Sequence, residues 1–197
     1  MPKDGYITAS QVSALMVNGS VRKPFGRGAV TYARELARVI VGIQKKELDT
    51  PDIQRGNELE EEALQAFERK MFVELERPNF KPHPVIEHFG GTADGLAWEF
   101  GVDTKCPNAK NHHDNLIECA QLKKYQGQFQ AYMELYDRDR WALASYNPKF
   151  PPESRLVVCW MKRDQEYIDK MKERVELFWP IVEEEVEQLE NYIITEY

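Results

Sequence analysis

The chain is poor in the residues that staple small folds. Among its 197 residues there are three cysteines and four histidines. Cys106, Cys119 and Cys159 are odd in number, widely spaced and form no CxxC pair, which argues against a zinc ribbon, a redox dithiol or a four-cysteine iron–sulfur site. Reduced thiols are the expectation for such a set in a cytosolic protein. Also missing is any run near the roughly 18 apolar residues that a membrane-spanning helix needs. The N-terminal MPKDGYITAS has no apolar segment of the secretory kind. A soluble cytoplasmic protein without a membrane partner is expected. There is no internal repeat, low-complexity tract or linker, so residues 1–197 are expected to form a single α/β domain.

What is present supports a folded chain. The composition is 42% hydrophobic and 30% charged, which excludes a disordered chain. A chain of this length removes about 70% of its unfolded surface from water on folding. Basic residues are outnumbered, with 26 Lys and Arg against 33 Asp and Glu, for a net charge of -7. Taken whole, that balance speaks against a simple nucleic-acid coat protein. Its distribution is uneven. Residues 176–197 hold seven acids and no Lys or Arg, which leaves 26 acids against 26 bases in residues 1–175. A basic cleft outside the terminal segment therefore stays open.

Apolar spacing predicts a short helix capped by Ser10 and helices over 29–47, 54–72 and 121–136. Two more are predicted at 164–178 and 181–194, separated at Pro180. NGSVRKPFGRG reads as a basic, turn-rich loop. Strand patterns cover 83–89, 91–96, 102–105, 141–146 and 155–161. Helices, strands, a helix, strands and helices in that order fit a central mixed sheet flanked by helices.

The informative segment is GGTADGLAWEFGVDTKCP. In an extended strand Asp103 and Lys105 share a face, and Asp94 lies nine residues upstream at a glycine-bracketed turn, within reach across a hairpin. Two carboxylates beside a lysine suit divalent-metal hydrolysis: hard Mg²⁺ takes oxygen ligands, and the lysine orients or helps deprotonate a water. Taken alone, the same spacing is what a solvated strand edge shows. In the helix before it, Glu60 lines up with Leu64 and Phe67 in the apolar stripe, whereas Glu58, Glu61 and Glu62 fall with polar positions. An inward carboxylate needs a partner. Gln128 and Tyr132 stand one turn apart behind Gly127, placed to face the same site and touch phosphate or base.

These motifs run in a fixed order: ITAS at 7–10, RGNELEEEA at 55–63, GTADGL at 91–96, DTKCP at 103–107, YQGQFQ at 125–130 and SYNP at 145–148. Together they resemble the phage lambda-type exonucleases, the YqaJ-like viral recombinases within the PD-(D/E)xK nucleases. The resemblance implies a restriction-endonuclease-like core with Asp94, Asp103 and the Thr104 carbonyl as metal ligands. It implies Lys105 as catalytic lysine, Glu60 as the helix glutamate steadying a water on the metal, and Gln128 as the site glutamine. Two Mg²⁺ ions are implied, with Mn²⁺ able to substitute. So are 5′→3′ digestion of one strand of linear double-stranded DNA, a homotrimeric ring, and handover of the exposed 3′ single strand to an annealing protein for recombination. Two positions depart from the pattern. Asp103 stands where relatives usually carry Glu, one methylene longer, and Lys3 stands in place of an arginine, giving a point charge where a bidentate fork is usual. A 5′-phosphate pocket of Lys3, Thr8 and Ser10 is expected, Thr8 and Ser10 being equally suited to helix capping.

Further DNA contacts are expected from Lys110, Lys123, Lys124, His112, His113 and the Arg22–Arg27 loop. Among the tryptophans, Trp98 is the candidate stacking platform and Trp141, Trp160 and Trp179 are core candidates. The acidic C-terminal segment reads as a solvated helix face with an apolar stripe at Ile181, Val182, Val186 and Leu189. Two competing readings remain: an endonuclease or nickase on the same core, which would cut closed circles, and a catalytically silent DNA-binding module.

Overall fold

The computed structural model describes residues 5–20, 23–43 and 51–192, with side chains from 58 to 191 in the last span. Strand β1 (Ile7–Thr8) leads into a 3-10 turn and α1 (Val12–Leu15), followed by α2 (Arg27–Ile40) and α3 (Pro51–Met71). Then come β2 (Lys81–Pro82), β3 (Phe89–Gly91), β4 (Gly95–Leu96), β5 (Gly101–Lys105) and α4 (Ala109–Glu118). A 3-10 turn at Leu122–Tyr125 opens α5 (Gln126–Tyr136), and β6 (Arg140–Tyr146), β7 (Leu156–Lys162) and α6 (Gln165–Tyr192) complete the order.

A mixed sheet flanked by helices is present, as the element order predicts, and a second, smaller mixed sheet accompanies it. The small one has the order β1-β3-β2 and the larger one β4-β5-β6-β7. In the larger sheet only β5 and β6 run parallel, with Asp103 opposite Leu143 and Lys105 opposite Ser145. Strand β6 is covered on both faces, because its residues alternate between two cores. Trp141 and Leu143 join the cluster that holds Phe129, Tyr132, Ile168, Met171 and Phe178, from α5 and α6. Ala142, Ala144 and Tyr146 join the cluster that holds Ala63, Leu64 and Phe67, from α3. The sheet is thus sandwiched, and the strand that carries the DTK motif sits beside its most buried member. Close packing here requires Gly101, since a Cβ at that position would lie 2.1 Å from the Trp141 ring.

Several expectations need correction. The strand expected over 83–89 is a turn between β2 and β3: the main-chain N–H groups of Val85 and Ile86 donate to His83 Nδ1 at 3.1 and 2.8 Å, and His88 takes φ 56°. The 91–96 run is interrupted at Thr92–Asp94, leaving the tips of β3 and β4. Ser10 caps nothing; its hydroxyl lies 3.1 Å from that of Thr8. Residues 109–118, for which the spacing predicts no helix, form α4, capped by the Asn108 side chain, which accepts from Asn111 N at 2.9 Å. Pro180 does not divide the last helix. Ile168, Met171, Val175, Phe178 and Val182 form one buried stripe across it, and that shared packing outweighs the lost N–H. The expectation of three reduced thiols fails as well. Cys119 and Cys159, 40 residues apart, are joined by a disulfide because the turn after α4 lies against β7. Among the described residues no helix is long and apolar enough to cross a membrane.

Candidate active site

The site forms where β5 meets α5 and α3. Val102 enters the core beneath α3, so alternation sends Asp103 and Lys105 to the other face, toward α5. Asp103 is 1% exposed. Lys105 Nζ donates to its Oδ2, and Gln128 Nε2 donates to its Oδ1 at 3.3 Å. Gln128 Nε2 also donates to Tyr132 Oη at 3.2 Å, and that hydroxyl donates to the Thr92 carbonyl at 2.7 Å. Across the hairpin, Asp94 Oδ2 accepts from Thr104 N at 2.7 Å and from Thr104 Oγ1 at 3.0 Å. The second oxygen of Asp94 has no hydrogen-bond partner among the described residues. Gly127 lets α5 approach α1, since a Cβ there would lie 2.6 Å from Ser13 Oγ.

Electrostatics tie a third carboxylate to this group. Burial pushes the Asp103 carboxyl well above the usual carboxylate range; Lys105 opposes the shift, and Asp94 and Glu60 add to it. For Lys105, burial pulls downward, but Asp103 and then Asp94 outweigh it and hold the ammonium above the ordinary lysine range. The two shifts describe one state in which Lys105 keeps its proton and Asp103 bears the cost of being charged in the interior. Glu60 sits at an exposed helix position, yet partial burial is the first cause raising its carboxyl, with Asp94 adding and Lys105 opposing. It therefore stands at the rim of the site, outside the apolar stripe expected for it. Two of its neighbours on that helix are engaged elsewhere: Glu61 pairs with Arg77 at 3.0 Å, and Tyr146 Oη donates to Glu62 at 2.5 Å.

Asp94, Asp103, Thr104, Lys105, Gln128 and Glu60 thus lie around one place, while other expected positions do not join them. Tyr132 is buried behind Gln128, so it supports the site and offers no surface to a phosphate or base. Thr8 and Ser10 lie next to each other on the β1 side, and Lys3 and Arg22 are outside the described residues. Arg27 is exposed at the start of α2, and Lys110 is exposed but paired with Asp114 at 2.8 Å. Lys123 is exposed on the turn before α5. His112 cannot reach a ligand at the surface: it is fully buried, with Nδ1 2.9 Å from Ser145 Oγ and Nε2 2.8 Å from the Ser154 carbonyl. Trp98 is 92% exposed, as a stacking platform needs, and Trp141 is fully buried. Tyr125 is the residue that sequence reasoning missed. Helical spacing marks it as one more apolar position, but its ring lies 5.3 Å from Lys105 Nζ, and its place at the head of YQGQFQ is the signal that could have found it.

The donor chemistry fits a hard divalent cation. Two carboxylates with unfilled lone pairs converge on a strand end, with Glu60 at the rim. Among the described residues no three His, Cys, Asp or Glu side chains close into a ready-made cage.

A mixed sheet between helices, with a buried Asp paired to a half-buried Lys on its inner strand, defines an α/β fold of the alkaline-exonuclease type. The alkaline exonuclease LHK-Exo of Laribacter hongkongensis shares it with TM-score 0.86 and 24% identity, over 97% of this chain and 94% of that one. The same protein in complex with dAMP gives 0.85 and 25% over the same shares. A phage-related exonuclease from Haemophilus somnus gives 0.77 and 22%, over 95% and 96%. No curated protein matches the chain. The YqaJ-like viral recombinase domain matches residues 2–139, and the chain belongs to that family.

Proposed function

We propose that the chain is a Mg²⁺-dependent 5′→3′ exodeoxyribonuclease that degrades one strand of linear duplex DNA and leaves a 3′ single strand for an annealing protein. The observation that carries this reading is the pair of buried Asp103 and half-buried Lys105 beside Asp94, in a family of viral recombinases. The dAMP bound by LHK-Exo, 25% identical over most of both chains, supports a nucleotide substrate.

Asp94, Asp103 and the Thr104 carbonyl would hold Mg²⁺, which when bound supplies Lewis-acid polarisation of the phosphate and charge neutralisation at the departing oxygen. The chain's own groups do the rest. Thr104 pins Asp94 through its amide and hydroxyl, and Gln128 keeps Asp103 from rotating away. Lys105 is held as a cation, so it orients the attacking water and stabilises negative charge on the phosphate rather than removing a proton. Glu60 has a raised proton affinity and an open position, which suits it to steady that water and accept its proton. A ring of three copies would let a net-acidic protein hold DNA in a basic channel.

The test is release of nucleotides from 5′-phosphorylated linear duplex in Mg²⁺, beside an unphosphorylated duplex and a closed circle. Linear duplex should be digested and the circle left intact. Lys105→Ala should lose cleavage by about a thousandfold or more while still binding DNA. A Lys105→Ala protein that cuts at the wild-type rate overturns the site, and a cut circle overturns the end-dependent reading.

A further inference from the structure

The first turn of α5 carries Gln128 and its last turn carries Glu134, about 9 Å further along the axis. At that far end, a groove of about 680 Å³ lies between the turn after β2 and the first half of α6. Its size is that of a ligand or side-chain docking site. The apolar side is formed by the Pro84–Ile86 turn and Leu135; Ile86 and Leu135 are buried, while Val85 is 80% exposed. The two hydrogen bonds to His83 Nδ1 fix this turn, so the apolar knuckle is shaped before anything binds.

The opposite wall is acidic. Asp169, Glu173 and Glu176 recur along one face of α6. Glu134, at the base, is already satisfied by Arg163, by Lys172 at 3.2 Å and by His83 at 3.7 Å, and Lys172 also reaches Asp169 at 3.4 Å. Glu173 and Glu176 form no ion pair among the described residues; Glu176 acts only through space on His83, whose proton affinity burial lowers. Lys81 also lines the groove, with its ammonium 5.1 Å from the Tyr136 ring; the acids outnumber it, which disfavours phosphate, and the apolar wall is wasted on a small cation. Pro82, on the edge strand β2, has no N–H to offer, so recognition here works through side chains rather than strand addition.

We propose that this groove docks a polypeptide segment of a partner protein that carries an apolar side chain flanked by Lys or Arg. The apolar side chain seats against Val85 and Leu135, and the flanking cations meet Glu173 and Glu176. The inference is independent of the nuclease reading, since none of these residues belongs to that site.

The test is fluorescence anisotropy with a labelled peptide of alternating Lys and Leu, beside Lys/Ser and Glu/Leu peptides of equal length. The Lys/Leu peptide should bind the full chain and the other two should not. Glu173→Lys with Glu176→Lys, and separately Val85→Asp, should each weaken binding about tenfold or more. All three positions are exposed, and thermal melts matching wild type will confirm that the variants fold. Equal binding of Lys/Ser and Lys/Leu, or a loss in only one of the two variants, overturns the proposal by reducing the groove to simple charge or simple apolar contact. Sedimentation that shows Val85→Asp dissolving a wild-type oligomer overturns it too, by assigning the groove to a second copy of this chain.

Discussion

Thr104 shows how much a single hydroxyl is asked to do. Asp94 stands at an interrupted strand end, and one of its oxygens is held only by the amide and hydroxyl of Thr104. Thr104→Val keeps the shape and the amide bond and removes the hydroxyl, at a cost of about 1 kcal/mol in the precision with which Asp94 is held. Cleavage by the variant should fall about tenfold, with DNA binding retained. Unchanged cleavage would mean that the amide alone fixes Asp94. A second residue-scale expectation concerns pH. Burial, partly offset by the Ser154 carbonyl, lowers the proton affinity of His112. The unfolded chain therefore takes up a proton below about pH 6.5 that the folded chain resists, so stability is full above that value and declines as pH falls through it. His112→Gln should flatten this part of a denaturation series measured from pH 7.5 to 5; an unchanged slope assigns it to other groups. The site acids and lysine were legible in the sequence because a two-residue period fixes which strand side chains share a face. Tyr125 was not, nor was the burial of Tyr132 behind Gln128, since a tyrosine on an apolar stripe does not reveal whether its hydroxyl or its ring faces the site.

At the scale of elements, the helices with an apolar stripe and the long strands announced themselves, while α4, the short strands and the irregular joins did not. Strands β6 and β7 matched their patterns because each is a nearly continuous run of apolar and strand-prone residues of full strand length. HPVIEHF has strand-like residues, yet two backbone N–H groups turn toward the His83 ring instead of a neighbouring strand. The polar run of α4 hid a helix whose inward face is His112 and Asn115, both hydrogen-bonded to Ser145. The disulfide was also invisible, because no spacing rule brings Cys119 and Cys159 together; only the packing of the turn after α4 on β7 does. This bridge closes a long loop and fastens the segment that leads to Tyr125 and Gln128. Cys159→Ser should cost about 2–4 kcal/mol of stability, read from denaturant midpoints. Adding reductant to the wild type should reproduce that loss and leave the variant unmoved. A wild type indifferent to reductant would show the thiols unbridged in solution.

For the whole molecule, the question is how a chain of net charge -7 holds a polyanion. The acids are not spread evenly. The last part of α6 carries Glu183, Glu184, Glu185, Glu187 and Glu190, and among these Glu185 pairs with Arg34 at 3.0 Å while Glu187 and Glu190 lie exposed. Near the site, Lys123 and Lys124 stand exposed on the turn that leads into α5, with Lys124 lying 5.5 Å from the ring of Tyr125, the same ring that supports Lys105. If DNA lies along this turn, net charge is a poor guide and local charge a good one. Binding measured with Lys105→Ala, so that the DNA survives, should weaken steeply with salt. Removing Lys123 or Lys124 should each flatten the log–log slope by about one, the release of one counterion. Glu187→Gln with Glu190→Gln, on α6 rather than on this turn, should leave that slope where it was, since charges farther than a Debye length of about 8–10 Å are screened. A slope that responds to the glutamines and ignores the lysines would put the DNA on the wrong side of the molecule, and the proposed channel with it.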